Sequence, residues 1–351
     1  MWQQLAIALC SSLFWLASPG ALYYSRYSIH ETLLVGAEIF LTLGALRFFK
    51  APSRTSVLII LWSLVVMSAT KETFVIFLFA LAVSLVLLRD QWSMAHIRFF
   101  RRQKSFLFSH TSIVLIFWVL LFSGFGKNLS GLIDFFRAFL LWFRVGIQDP
   151  AHLKPAYYWG QLILENEPLV IFSVILSLLG WAWRDRYTMF FSILGLVHFL
   201  IYSLIGYKTP WCLLGLTWPW ALVTGCILMK CMPSFSRLRP FGALIVLIWF
   251  GTCIFSLSRA RSLSLYTAGS ESNSYAYVQS SRDLHSILNL ISWMQIQSKT
   301  YKVQCPQEAG ELWPLPWVLS RFNGTTCFNQ DLNAQSDLII LQADAQQAID
   351  L

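Results

Sequence analysis

The residues of this chain best suited to chemistry sit where apolar runs begin and end. Ser25-Arg26-Tyr27-Ser28-Ile29-His30-Glu31-Thr32 sets a guanidinium, an imidazole and a carboxylate between two apolar stretches. Charge at membrane depth is costly unless it faces a cavity or a partner, so this edge reads as a site. Glu31 can orient a divalent metal ion or an acceptor, and His30 and Arg26 can hold an anionic head group; a snorkelling contact to lipid phosphate serves Arg26 equally well. Glu38 lies two helical turns beyond Glu31, on the same helix face and deeper, where it needs a partner. Lys71-Glu72 stands at a turn between two short apolar runs, and Tyr207-Lys208-Thr209-Pro210-Trp211 puts a cation and two aromatics at a third boundary. An ammonium holds phosphate as a point charge, so separated lysines at such edges suit a phosphate carried by a lipid.

These groups need a frame, and composition says what kind. The chain has 351 residues, 56% hydrophobic and 12% charged, with a mean hydropathy of +0.58. That excludes a water-soluble globule for most of its length and predicts a polytopic membrane helix bundle. Apolar runs fall at about 1–18, 31–49, 56–69, 73–88, 106–123, 167–183, 188–206, 211–229 and 241–257, nine candidate helices, with 56–88 also readable as one bent hairpin. One set of loops holds Lys50, Arg54, Arg89, Arg98, Arg101, Arg102, Lys104, Arg184, Arg186, Lys230, Arg237 and Arg239 against Asp90 and Asp185. The positive-inside rule makes that set cytoplasmic. The Arg26–Glu31 edge, the Lys71 turn, the Lys208 turn, the 124–166 loop and the C-terminal tail then share the opposite, extracytoplasmic side. Met1 to Pro19 lacks a basic start, so a cleaved signal peptide is not expected.

Within the 124–166 loop, Leu132, Phe135, Phe136, Phe139, Leu140 and Phe143 recur at spacings of three and four, as in a helix lying in the interface plane or partly buried in the membrane. From about Arg259 the composition turns polar. A helix at about 280–297 and short strands at 301–305, 325–328 and 337–341 predict a small α/β domain over 259–351, behind a membrane domain over 1–258. No Gly-rich phosphate loop precedes a helix in this tail, and no Cys/His spacing suits zinc, so a divalent ion at Glu31 is the one cofactor these residues would support. Cys10, Cys212, Cys226 and Cys253 lie in apolar runs and read as small buried hydrophobes. Cys305 and Cys327 form a disulfide candidate if the tail lies outside the cytoplasm. The net charge of +9 belongs to membrane orientation. No basic stripe with stacking aromatics is present, so nucleic acid is not an expected partner.

Ser25-Arg26-Tyr27 followed by Glu31 resembles the segment with the second acidic motif of the polyprenyl-phosphate-dependent membrane glycosyltransferases of the GT-C class, the protein O-mannosyltransferase and aminoarabinose-transferase-like group. Ala69-Thr70-Lys71-Glu72-Thr73 resembles the Lys-containing turn of that class. Lys154-Pro155 with Tyr157-Tyr158, Glu167, Lys208-Thr209-Pro210-Trp211 and Trp313-Pro314-Leu315-Pro316-Trp317 are similar to segments of its flippase-activity-associated glycosylation subfamily. The resemblance implies transfer of a sugar from a polyprenyl-phosphate carrier to a lipid or protein acceptor at the extracytoplasmic face of the inner (plasma) membrane. Glu31 would take the second-acid role, and Lys71 and Lys208 would hold the carrier phosphate. Arg26, His30, Glu72, Lys154, Tyr157 and Trp211 complete the expected substrate-binding set.

In one respect the chain departs from the family. Its members carry two further N-terminal helices and, between them, an acid that deprotonates the acceptor, whereas no Asp or Glu precedes Glu31 here. The expectation is a chain that begins late or one that has lost catalysis. The function therefore stands between a glycosyltransferase, a noncatalytic lipid-phosphate-binding subunit that assists glycosylation or flipping, and a transporter, for which no internal repeat was found.

Overall fold

The computed structural model describes residues 2–148, 153–232, 239–270, 272–277, 283–296, 303–305, 315–320, 325–327 and 338–339. It divides into two compact units, Met1–Tyr266 and Thr267–Leu351. The first unit is helical. In chain order come α1 (Trp2–Ala17), α2 (Pro19–Tyr24), α3 (Glu31–Lys50), α4 (Arg54–Thr70), α5 (Phe74–Leu85), α6 (Met94–Arg102), α7 (Lys104–Phe122) and α8 (Gly131–Gln148). They are followed by α9 (Tyr158–Asn166), α10 (Pro168–Ala182), α11 (Arg186–Leu204), α12 (Leu213–Cys231) and α13 (Arg239–Arg261). A 3-10 turn, Val86–Gln91, prolongs α5, another, Pro210–Cys212, leads into α12, and a π turn, Ser262–Tyr266, ends α13.

Among the described residues, six segments are long and apolar enough to cross a membrane: α3, α5 with its turn, α7, α11, α12 with its turn, and α13 with its turn. The pair α9 and α10, bent by 103°, would make a seventh. The runs expected at 1–18 and 56–69 form apolar helices of 16 and 17 residues, shorter than the other six. The first unit runs past the expected boundary at 258 because α13 and its π turn continue the same helix to Tyr266.

Helix α12 is the centre of this unit. Its membrane-length window is 89% buried, against 6% for α7, and it packs against α1, α3, α10, α11 and α13. Small residues make this approach geometrically feasible, since helices in lipid associate through close packing. A Cβ on Gly225 would stand 2.4 Å from Ser11 Oγ and 2.7 Å from the Ile7 carbonyl oxygen of α1, and Thr224 meets Ser173 of α10 in a short hydroxyl contact. Pro219 inside α12 cannot donate to the carbonyl one turn earlier. That carbonyl, of Gly215, is met instead by the buried His198 of α11. Glu38 of α3 finds the partner its depth requires: Trp218 Nε1 donates to Glu38 Oε2 at 2.9 Å.

At the end of the bundle away from Glu31, Arg186 forks onto Asp90 at 2.6 and 3.0 Å. Asp185 caps α11 through Thr188 N at 3.0 Å and accepts from Lys230 at 2.5 Å. Burial works to raise the Asp185 pKa, but the Lys230 and Thr188 bonds outweigh it and hold the carboxyl below its usual range. The stability this adds is present above the ordinary aspartate range and is lost as pH falls through the lowered value.

The second unit contains α14 (Asp283–Ile296), β1 (Val303–Cys305), α15 (Leu315–Leu319), β2 (Thr325–Cys327) and β3 (Leu338–Ile339). The strands pair in parallel in the order β2-β1-β3. Cys305 and Cys327 are Cα partners in that register, while the bond expected between them concerns side chains outside the described ones. Adjacent positions are compatible with the Cα spacing of a disulfide, so peptide mapping without reductant is expected to recover the 305–327 bridge from protein made in an oxidising compartment. Two unlinked thiols in that material would exclude it.

The α1–α12 contact makes a separate prediction. Gly225→Val drives methyls into the α1 backbone and should lower the thermal stability of the detergent-solubilised protein by about 1–3 kcal/mol. An unchanged melting temperature would mean that α1 does not pack there.

Candidate functional site

Glu167 anchors the approach to the site. It is fully buried at the bend between α9 and α10, where Pro168 opens α10. Its two oxygens accept from Ser18 Oγ at 2.9 Å and Gly20 N at 2.6 Å, at the start of α2. A carboxylate there satisfies orphan helix N–H groups and complements the helix dipole. It also ties α2 to the α9–α10 bend, so residues 25–30, which lead into α3, depart from a fixed point. Tyr23, Tyr24 and Tyr27 pack edge to face or tilted at 5.1–5.7 Å between ring centres.

Glu31 opens α3, and its side chain is 3% exposed. Lys71 follows α4 in extended backbone, its N–H bonded to the Met67 carbonyl at 3.1 Å. The two side chains meet, Lys71 Nζ donating to Glu31 Oε1 at 2.5 Å. His30 Nε2 lies 3.5 Å from the same oxygen. Glu31 Oε2 is buried and has no hydrogen-bond partner among the described residues. Lys71 Nζ also stands 3.5 Å from Cys212 Sγ, which is itself 3.3 Å from Thr209 Oγ1. Burial opposes the Lys71 charge, but the Cys212 and Glu31 groups beside it outweigh that and raise its pKa. Lys71 is therefore an ammonium at neutral pH, and the stability it contributes is lost only as pH rises through the raised value.

Lys71 borders a cavity of about 430 Å³ lined also by His30, Glu72 and Trp211, with Ala138 and Leu141 of α8. Helix α8 is held by rings: Phe135 packs on Trp118 and Phe122 of α7 at 5.0 and 4.8 Å, and Phe139 on Phe74 of α5 at 6.4 Å. The helix expected near 131–147 thus forms a wall of the cavity. A second hollow, of about 820 Å³ and almost wholly apolar, runs between α3 and α4 past Thr32, Gly36, Phe40, Leu58 and Trp62. It begins at Ile29 and Thr32, which flank His30 and Glu31 in the chain, so the charged cavity and the apolar groove open beside adjacent residues at the start of α3.

Of the residues expected to act together, His30, Glu31, Lys71, Glu72 and Trp211 gather here. Arg26 does not line this cavity; its Nη1 donates to the Ser264 carbonyl at 2.7 Å and its side chain lines a different cleft. Lys208 is 2% exposed and donates to the carbonyls of Lys154 and Ile205, the first at 3.1 Å. Burial lowers its pKa, and its ammonium stitches residue 154 to the end of α11. Lys154 meanwhile bonds through its N–H to the Gly206 carbonyl at 3.0 Å, beside the antiparallel bridge of Leu153 with Tyr207. Tyr157 is exposed and does not line the cavity. No group of three or more His, Cys, Asp or Glu side chains suited to a metal occurs among the described residues. At Glu31 a divalent ion would have to displace the Lys71 ammonium, so the residues present do not fit the metal that Glu31 suggested. Cys212 was read as a plain hydrophobe, and nothing local in its apolar run marks it as a neighbour of Lys71.

The ion pair can be tested by a double-mutant cycle. Lys71→Met leaves a buried carboxylate unpaired and should cost about 3–5 kcal/mol of stability, whereas adding Glu31→Gln to it should restore part of that loss. Strictly additive losses in thermal unfolding would show that the two side chains are not coupled.

No family model, no curated protein and no solved structure matches this chain; the case for its function rests on the geometry of the site.

Proposed function

We propose that the chain is an integral-membrane glycosyltransferase of GT-C type that takes a sugar from a polyprenyl-phosphate carrier at the extracytoplasmic face. The observation that carries this reading is a charged cavity and an apolar groove that open beside adjacent residues at the start of α3. A carrier lipid is an amphiphile of matching form, with an anionic phosphate next to a long apolar chain. The reading takes α1 and α4 as further spans, giving nine, and the second unit as a small extracytoplasmic α/β domain.

Lys71 faces the phosphate, and Glu31 behind it keeps that ammonium charged and in place. As the bond from the sugar to the phosphate breaks, its electron pair goes to the phosphate oxygen, where Lys71 offsets the developing charge. The acceptor hydroxyl oxygen forms the new bond to the sugar carbon, and its proton passes to Glu72, the carboxylate on the cavity wall. Trp211 offers a flat apolar face for the sugar. Arg26, Lys154, Tyr157 and Lys208 have no part in this scheme, because they lie off the cavity or are bonded within the fold.

A second reading has its own support. With Glu31 Oε1 already occupied by Lys71, the same geometry suits a noncatalytic protein that binds lipid phosphate. The test is to reconstitute the purified chain with a polyprenyl-phosphate sugar and acceptor, and to measure binding and transfer separately. Glu72→Gln should leave carrier binding intact and reduce transfer by about 100-fold or more, and Lys71→Met should weaken carrier binding at least tenfold. Binding without transfer by the unaltered chain would select the second reading, and absence of binding would overturn both.

A further inference from the structure

We propose that Arg26 and Arg261 form a second anion site, separate from the Glu31–Lys71 cavity, that holds the phosphate head group of an anionic membrane phospholipid. The two side chains line one cleft of about 510 Å³, between the segment after α2 and the end of α13 with its π turn. Neither has a carboxylate within ion-pair distance among the described residues; the pairs found there involve other cations. Two guanidiniums sharing a cleft without an acid repel each other, and an anion between them removes the repulsion.

The rest of the cleft suits a phosphate ester. Arg26 spends one N–H on the Ser264 carbonyl at 2.7 Å, and Arg261 spends one on Tyr266 OH at 3.0 Å with its guanidinium carbon 5.7 Å from that ring centre. Each guanidinium carries five donors, so most remain for a ligand. The Ser264 hydroxyl, on a residue 8% exposed, is buried without a hydrogen-bond partner among the described residues. The π turn that carries Ser264 is the kind of helix irregularity that recurs at functional sites. Glu167, the carboxylate buried near the start of α2, accepts from Ser18 Oγ and Gly20 N.

The apolar side of the cleft decides between a free anion and a lipid. Ile254 and Leu257, 62% and 52% exposed, continue from the cleft down α13, whose membrane-length window is only 22% buried. A phosphate held by the arginines places an acyl chain along that exposed apolar face, whereas inorganic phosphate leaves it uncovered. An anionic lipid here braces the segment that leads from α2 towards α3, and this inference does not depend on what the Glu31–Lys71 cavity does.

The experiment is native mass spectrometry of the full chain in detergent, titrated with phosphatidylglycerol, phosphatidylcholine or inorganic phosphate, with thermal stability followed in parallel. Phosphatidylglycerol should bind and raise the melting temperature. The Arg26→Gln/Arg261→Gln variant should lose at least tenfold in its affinity. Ser258→Trp, which fills the cleft from an exposed position of α13 without altering charge, should do the same and covers the case in which the double variant fails to fold. Undiminished phosphatidylglycerol binding in Ser258→Trp, equal binding of phosphatidylcholine, or equal protection by inorganic phosphate would each overturn the proposal.

Discussion

A carboxylate buried in an apolar bundle must have a compensating charge or donor, and the Glu31–Lys71 pair is where this requirement organises the molecule. Glu31 begins α3 and Lys71 ends α4, so their contact closes the α3–α4 hairpin at the end where the cavity opens. It also decides what the cavity presents. Glu31 is turned inward behind the ammonium, and the groups on the wall include Lys71, Glu72, His30 and the Trp211 indole. The charge available to a ligand there is set by the pairing, since one of the two carboxylates is already balanced.

The same requirement recurs elsewhere with different partners. Glu38 is met by an indole N–H, and Glu167 by a hydroxyl and a backbone amide at the start of α2. These donors are dipoles, which are less costly to bury than a second charge. Helix α12 makes these contacts feasible. It carries Trp218 to Glu38, it frees the Gly215 carbonyl for His198 through Pro219, and its small residues bring α1 and α10 close enough to bury it. Lys208 shows the opposite outcome: a cation at a boundary spent on backbone carbonyls, where it holds the chain near 154 against the end of α11.

Local pattern in the sequence places most of the long helices and the edges that carry charge. Runs of apolar residues bounded by polar ones located α1, α3, α4, α5, α7, α10, α11, α12 and α13 to within a few residues, and the three- and four-residue spacing of phenylalanines located α8, because both signals are local and need no knowledge of partners; the short helices α2, α6 and α9 carry no such run of their own. That His30, Glu31, Lys71, Glu72 and Trp211 stand at boundaries of apolar runs was legible, but Arg26 and Lys208 stand at such boundaries too and do not join them. Which of these charges meet is set by how the helices pack. That Glu31 is paired with Lys71, that Cys212 lies beside them, that Arg26 turns away to Ser264 and that Lys208 turns inward all depend on contacts between residues 40 to 238 positions apart or on the path of a turn. Hydropathy and spacing report how each segment meets its solvent; the partner of a buried charge is chosen by packing, and packing joins segments that the linear order leaves far apart.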